Sequence, residues 1–176
     1  MKKERIVLGG GCFWCIEAVY RKVNGILSAV SGYAGGKRAN PTYENVCSGA
    51  TGHAEVVDID YDADVISLTE ILDIFFAIHD PTTLNQQGAD KGTQYRSVIY
   101  YANEEQKSVI EASIAKHQTE FSGKIVTEVS PLEEVYPAEP YHQNYYALNS
   151  SQGYCQVVIA PKLQKFMMKF PEKLAK

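Results

Sequence analysis

Short apolar runs alternate with amphipathic stretches from Arg5 to Val129. Arg5-Ile6-Val7-Leu8 predicts a strand, and Ile16, Val19 and Val23 fall at helical spacing within a helix over 16–23. Ile26–Tyr33 reads as a strand that runs into a glycine-containing loop, 34–41. Ala54–Tyr61 is the next strand, its alternation clear from Val57 onward. Ser67 and Glu70 form a capping-box signature for a helix whose apolar face is Leu68, Ile71, Leu72 and Phe75, ending before Pro81. The polar stretch 82–93 predicts a long loop of the kind that is functional or mobile. Tyr95–Tyr101 is strand-like, Asn103 caps a third helix with Val109, Ile110, Ile114 and His117 on its buried stripe, and 124–129 is a last strand. His117 reads as a satisfied helix residue rather than a ligand.

This order of elements predicts an α+β fold: a two-layer sandwich with a ferredoxin-like core, a mixed sheet, and an added helix and strand. The chain reads as one domain, 1–176, without repeat or linker. Regular patterning fades over 131–176, which is expected to be largely irregular. The exceptions are a short helix around His142–Leu148 and the run Lys162–Lys176, a final amphipathic helix broken by Pro171 or a partly ordered tail docked on the domain.

A chain of 176 residues suits a single core of ordinary size. Its net charge of −4, with no strongly basic stretch, argues against nucleic acid as a partner. Only Ile6-Val7-Leu8 separate the charged first residues from the glycines, too short for a signal-peptide core, and no stretch is long enough to span a membrane. A cytoplasmic monomer is expected. Cys12, Cys15, Cys47 and Cys155 are then more consistent with thiol chemistry than with structural disulfides. No second Cys-x-x-Cys occurs, and His53 near Cys47 does not complete a tetrahedral site, so neither metal nor cofactor is expected.

The chemistry concentrates at Gly11-Cys12-Phe13-Trp14-Cys15. Cys12 follows a strand and a glycine run and precedes a helix, beside unpaired backbone N–H groups, a position that favours a thiolate nucleophile. Phe13 and Trp14 offer it a small apolar wall.

Several further segments accompany this one: Gly32-Tyr33-Ala34-Gly35-Gly36, Asn40-Pro41-Thr42-Tyr43, and Gly49-Ala50-Thr51-Gly52-His53-Ala54-Glu55-Val56. His79-Asp80-Pro81-Thr82, then Gln86, Gly88, Asp90, Gly92 and Gln94-Tyr95-Arg96-Ser97, and finally Tyr141-His142-Gln143 with Tyr145 complete the set. Together and in this order, the chain resembles the A-type peptide methionine sulfoxide reductases, which act on the S epimer of the sulfoxide. A sulfoxide sulfur is a poor electrophile until its oxygen is protonated or strongly hydrogen-bonded, so its reduction needs a soft nucleophile, an acid and neutral donors. Strand pattern alone reads Glu55 as solvent-facing. The resemblance makes it the acid, held protonated by burial.

By the same resemblance Tyr43 and Tyr95 are phenol donors to the oxygen, Phe13 and Trp14 enclose the ε-methyl group, and Asp90 engages the substrate backbone. The implied substrates are free methionine sulfoxide and oxidised proteins, and thioredoxin is the implied reductant. Cys12 would retain the oxygen as a sulfenic acid that condenses with a second thiol. Cys15, Cys47 and Cys155 are the candidates. The small, polar residues from Asn149 to Gly153 read as a mobile segment able to deliver Cys155, which also matches the family's resolving position. The competing reading is a disulfide oxidoreductase using Cys12 and Cys15.

Overall fold

The computed structural model describes residues 1–88 and 90–175. The expected loop and the expected tail each include one residue outside these, Ala89 and Lys176.

Six strands form one sheet: β1 (Lys3–Gly9), β2 (Ile26–Ala34), β3 (Ala54–Asp62), β6 (Val98–Tyr101), β7 (Glu128–Pro131) and β8 (Val135–Pro137). A separate two-stranded ribbon pairs β4 (Gln86–Gln87) with β5 (Asp90–Lys91). The order across the sheet is β7-β6-β1-β3-β2-β8. Its central four strands, β6-β1-β3-β2, are all antiparallel and have the strand order of a ferredoxin-like core. Helix α1 (Phe13–Tyr20) connects β1 to β2, and α3 (Leu68–Ile78) follows β3. Helix α4 (Glu104–Gln118) carries the chain from β6 to its parallel neighbour β7, which makes the sheet mixed. The fold class read from the sequence is the one observed.

Strand alternation decides what faces the helices. Ile6 and Leu8 of β1, Val57, Ile59 and Tyr61 of β3, and Ile99 and Tyr101 of β6 join α1 and α3 in the main core. Their neighbours Val7, Val56, Val98 and Tyr100 form a second cluster on the other face. Glu55 has the parity of Val57 and Ile59, so its side chain is directed to the helix layer, toward α1.

Element boundaries depart from the pattern where caps or side-chain bonds intervene. The first helix begins at Phe13, not Ile16, because Cys12 already takes the extended N-cap conformation. A five-residue helix unanticipated by periodicity, α2 (Tyr43–Cys47), is capped reciprocally by Thr42 and Asn45. Ser67 and Asn103 cap α3 and α4 as expected. His117 is buried and satisfied between Asp73 and Glu120. The stretch from Tyr95 gives a strand only from Val98, since Thr93–Tyr95 forms a 3₁₀ turn. The strand expected at 124–129 is β7, which starts at Glu128, four residues later than that run suggests.

The region from Pro131 is more regular than expected. It contains β8, a 3₁₀ turn at Pro140–His142, the helix α5 (Tyr145–Leu148), and helical backbone over 153–169 that ends in α6 (Ala160–Lys169). Leu163 and Phe166 bury one face of α6, and Leu174 bridges back to Val23, so this segment docks on the domain. The stretch 149–155 also differs from the open, mobile segment its composition suggests. Cys155 is fully buried in a π-helical turn, Cys155–Ile159.

Candidate active site

Gly9, Gly10 and Gly11 carry the chain from β1 to the start of α1. A Cβ on Gly9 would stand 2.8 Å from the backbone oxygen of Glu55, and one on Gly10 the same distance from the His79 ring. Gly11 has φ +84, which favours glycine. Its N–H donates to the Tyr95 carbonyl at 3.1 Å, which ties the nucleophile's turn to the 3₁₀ turn carrying that phenol.

Cys12 is the N-cap of α1 and only 6% exposed. Position at a helix start favours a thiolate, but here burial outweighs it. Burial first, then the nearby Glu55 carboxyl, pushes the thiol well above its ordinary value, so in this geometry Cys12 is protonated.

Glu55 is fully buried on β3. Its Oε1 accepts the N–H of Phe13 at 3.1 Å, whereas Oε2 has no partner among the described residues. Burial raises its pKa to about 8, against the lowering effects of the Phe13 N–H and the Cys12 thiol. The solvent-facing reading of this strand position is therefore replaced by a buried, protonated acid close to Cys12.

Tyr43 opens α2, and its N–H donates to Glu139 Oε2 at 3.0 Å. Tyr95 closes the 3₁₀ turn. Burial, with Glu55 as the next cause, pushes both phenols up, so both are neutral donors. Phe13 is fully buried, its ring 6.3 Å from that of Tyr43, and thus forms the floor rather than an open wall. Trp14 is half-buried and stacks on Tyr145 at 3.7 Å and 7°. Its indole N–H donates to His142 Nδ1 at 3.1 Å.

Asp90 lies on β5 and accepts from the Tyr154 hydroxyl at 2.9 Å. Cys15 is buried beside Cys12, its thiol pushed up to about 11 chiefly by burial. Cys47 is half-buried at the end of α2, and burial raises its pKa. All four cysteines are free thiols.

Sequence reasoning missed several residues that hold this site. His142 and Tyr145 belong to a recognised segment but carried no assigned role, and they orient Trp14. Glu139 receives Tyr43 N–H, Tyr33 Oη and Tyr141 Oη. Glu17, 1% exposed, accepts the Asn144 N–H with both oxygens at 2.9 Å, and Ser31 and Arg21 also donate to it. It anchors the segment that bears His142 and Tyr145 onto α1. No local pattern marks a buried glutamate whose partners lie 127 positions away.

A protonated acid beside a sulfur nucleophile can protonate an oxygen that the sulfur takes from a substrate. The fold and this site together define a thiol-based oxidoreductase. Comparison with known proteins gives the family: residues 4–174 match the model described as peptide methionine sulfoxide reductase, and the chain belongs to that family. A peptide methionine sulfoxide reductase MsrA of Nautilia profundicola is 59% identical over 163 residues, 93% of this chain and 94% of that protein. The crystal structure of Mxr1 from Saccharomyces cerevisiae in reduced form superposes with a TM-score of 0.83 at 39% identity, covering 88% of this chain and 90% of that one. Mxr1 in complex with Trx2 gives 0.60 at 29% identity, over 82% and 85%.

Proposed function

We propose that the chain reduces methionine S-sulfoxide, free or in proteins, to methionine, and that thioredoxin returns it to the dithiol state. The observation that carries the mechanism is Glu55, a buried carboxyl with a pKa of about 8 and one oxygen unpartnered among the described residues. Near neutral pH it has a proton to give.

In this mechanism the sulfoxide oxygen takes the Glu55 proton while Tyr43 and Tyr95 donate to it, and the Cys12 sulfur attacks the sulfoxide sulfur. The thiol proton returns to Glu55. The bond between the two sulfurs breaks as the hydroxyl passes to the Cys12 sulfur, so methionine leaves and Cys12 keeps the oxygen as a sulfenic acid. The thiol of Cys155 then attacks the sulfenic sulfur, forming a Cys12–Cys155 disulfide and releasing water. Phe13 and Trp14 receive the ε-methyl group, and Asp90 engages the substrate backbone. The Mxr1–Trx2 complex supports thioredoxin as the partner that reduces the disulfide.

The same proposal takes 1–176 as one catalytic domain, monomeric and cytoplasmic, working without metal or cofactor on neither nucleic acid nor membrane. The net charge of −4 supports the exclusion of nucleic acid, and no helix among the described residues is long and apolar enough to cross a membrane.

Peptide mass mapping tests the cycle. One equivalent of N-acetyl-methionine S-sulfoxide added to the reduced protein is expected to yield the free sulfide and a Cys12–Cys155 bridge. A Cys12–Cys15 bridge that forms without sulfoxide overturns the reading in favour of a disulfide oxidoreductase.

A further inference from the structure

Tyr154 and Cys155 are adjacent in sequence and opposite in placement. Cys155 is fully buried within the π-helical turn, whereas the Tyr154 side chain reaches the catalytic centre. Its hydroxyl donates to Asp90 Oδ2 at 2.9 Å, with the Cys12 and Cys15 thiols nearby. Its ring meets the Trp14 indole edge-on at 5.8 Å and 79°. An apolar body against Trp14 and a donor on Asp90 are the features that the reductase reading assigns to a bound methionine sulfoxide.

From this coincidence we propose that Tyr154 stands in the substrate's place, so that substrate entry displaces it and thereby releases the Cys155 thiol. The inference rests on the reductase reading of the site. Substrate and phenol compete for the edge of the Trp14 indole and for the Asp90 carboxylate. Consecutive Cα atoms are held about 3.8 Å apart, so withdrawal of Tyr154 also moves Cys155. Two features can absorb that movement. A Cβ on Gly153 would meet nothing within 4 Å, and the turn after Tyr154 is π-helical, a geometry that can return to α by a change of register. Coupling the two events gives the cycle its order. Cys12–SH and sulfoxide yield Cys12–SOH and methionine, and the Cys155 thiol, released by substrate entry, is then at hand to form the disulfide and water.

The test uses the full chain carrying Cys12→Ser, which binds without turnover. Iodoacetamide labelling of Cys155 is followed by peptide mass, with and without N-acetyl-methionine S-sulfoxide methylamide, saturation being read from the fluorescence of Trp14, the single tryptophan. The ligand is expected to speed Cys155 labelling roughly ten-fold, the effect of one hydrogen bond to a charged group. Adding Tyr154→Phe to the same background is expected to give the faster rate without ligand, with Cys47 labelling unchanged as the control for folding. Labelling of Cys155 that ignores a saturating ligand, or that stays slow in the Tyr154→Phe protein, overturns the proposal. The reductase reading fails separately, if the wild-type protein releases no methionine from the sulfoxide.

Discussion

The backbone N–H of Phe13 donates to Glu55 Oε1 at 3.1 Å, which ties the acid on β3 to the first residue of the helix that Cys12 caps. One hydrogen bond thus sets both the distance between carboxyl and thiol and the orientation of the carboxyl, leaving Oε2 without a partner among the described residues. The same bond favours the carboxylate, yet burial prevails and the acid stays protonated near neutral pH.

Glu55→Gln tests that balance in two ways. Loss of the proton donor is expected to slow sulfenic acid formation at pH 7 by about 10²–10⁴-fold, measured in a single turnover by trapping Cys12 with dimedone. Stability should move the other way. The folded pKa, about 8, lies above the ordinary 4.5, so the wild type has its full stability below pH 4.5 and loses it progressively as pH rises to about 8. The glutamine variant should match the wild type at pH 4.5 and exceed it by roughly 2–3 kcal/mol at pH 7 in urea unfolding. Equal stability at both pH values would show that Glu55 is not held protonated by the fold.

Gly9→Ala is expected to damage both catalytic groups at once. The added Cβ would fall 2.8 Å from the Glu55 backbone oxygen and 2.9 Å from Val98 Cγ1, so β1 must move away from β3 or β6. Overpacking of this kind costs about 1–3 kcal/mol. Thermal unfolding should show that loss, and kcat should fall more than stability alone accounts for, because Glu55 lies on β3 and Cys12 follows the end of β1 by three residues.

Glu17→Ala removes the carboxylate that holds Asn144, while Arg21, 39% exposed on its side chain, can turn to water. A loss of about 1–3 kcal/mol is expected from the buried N–H left without an acceptor. Trp14 fluorescence should change as Tyr145 and His142 loosen around the indole, and KM for the sulfoxide should rise. An unchanged emission spectrum with unchanged KM would separate this anchor from the substrate wall.

His79 carries an acid-side prediction. Buried behind Gly10, its Nδ1 donates to the Phe75 carbonyl and its Nε2 lies 2.8 Å from Ser97 Oγ. Burial lowers its pKa from 6.5 to about 4. The folded value lies below the unfolded one, so this contribution is complete above pH 6.5 and is lost as pH falls through about 4. Urea unfolding of the wild type should weaken across that window by up to about 3 kcal/mol from this group, and His79→Gln should flatten the slope.

Much of this protein was legible in the chain itself. Period-two and helical spacing placed the core strands and helices of the sandwich, because side-chain parity and helix faces are local properties of the backbone. The glycine run before Cys12 marked the turn, since only residues without Cβ fit between His79, Glu55 and the helix start. The segments shared with a known family brought Glu55, Tyr43 and Tyr95 to the same thiol before any coordinates did. Local pattern alone misread protonation, and only the resemblance made Glu55 a protonated acid. A helix start argued for a Cys12 thiolate and strand pattern for an exposed Glu55, and both inferences fail on burial, which depends on what packs over a residue from elsewhere in the chain. The C-terminal region was read as irregular for the same reason. Its order comes from long-range bonds, Glu17 to Asn144, Trp14 to His142 and Asp90 to Tyr154, and no short window of sequence contains both ends of any of them.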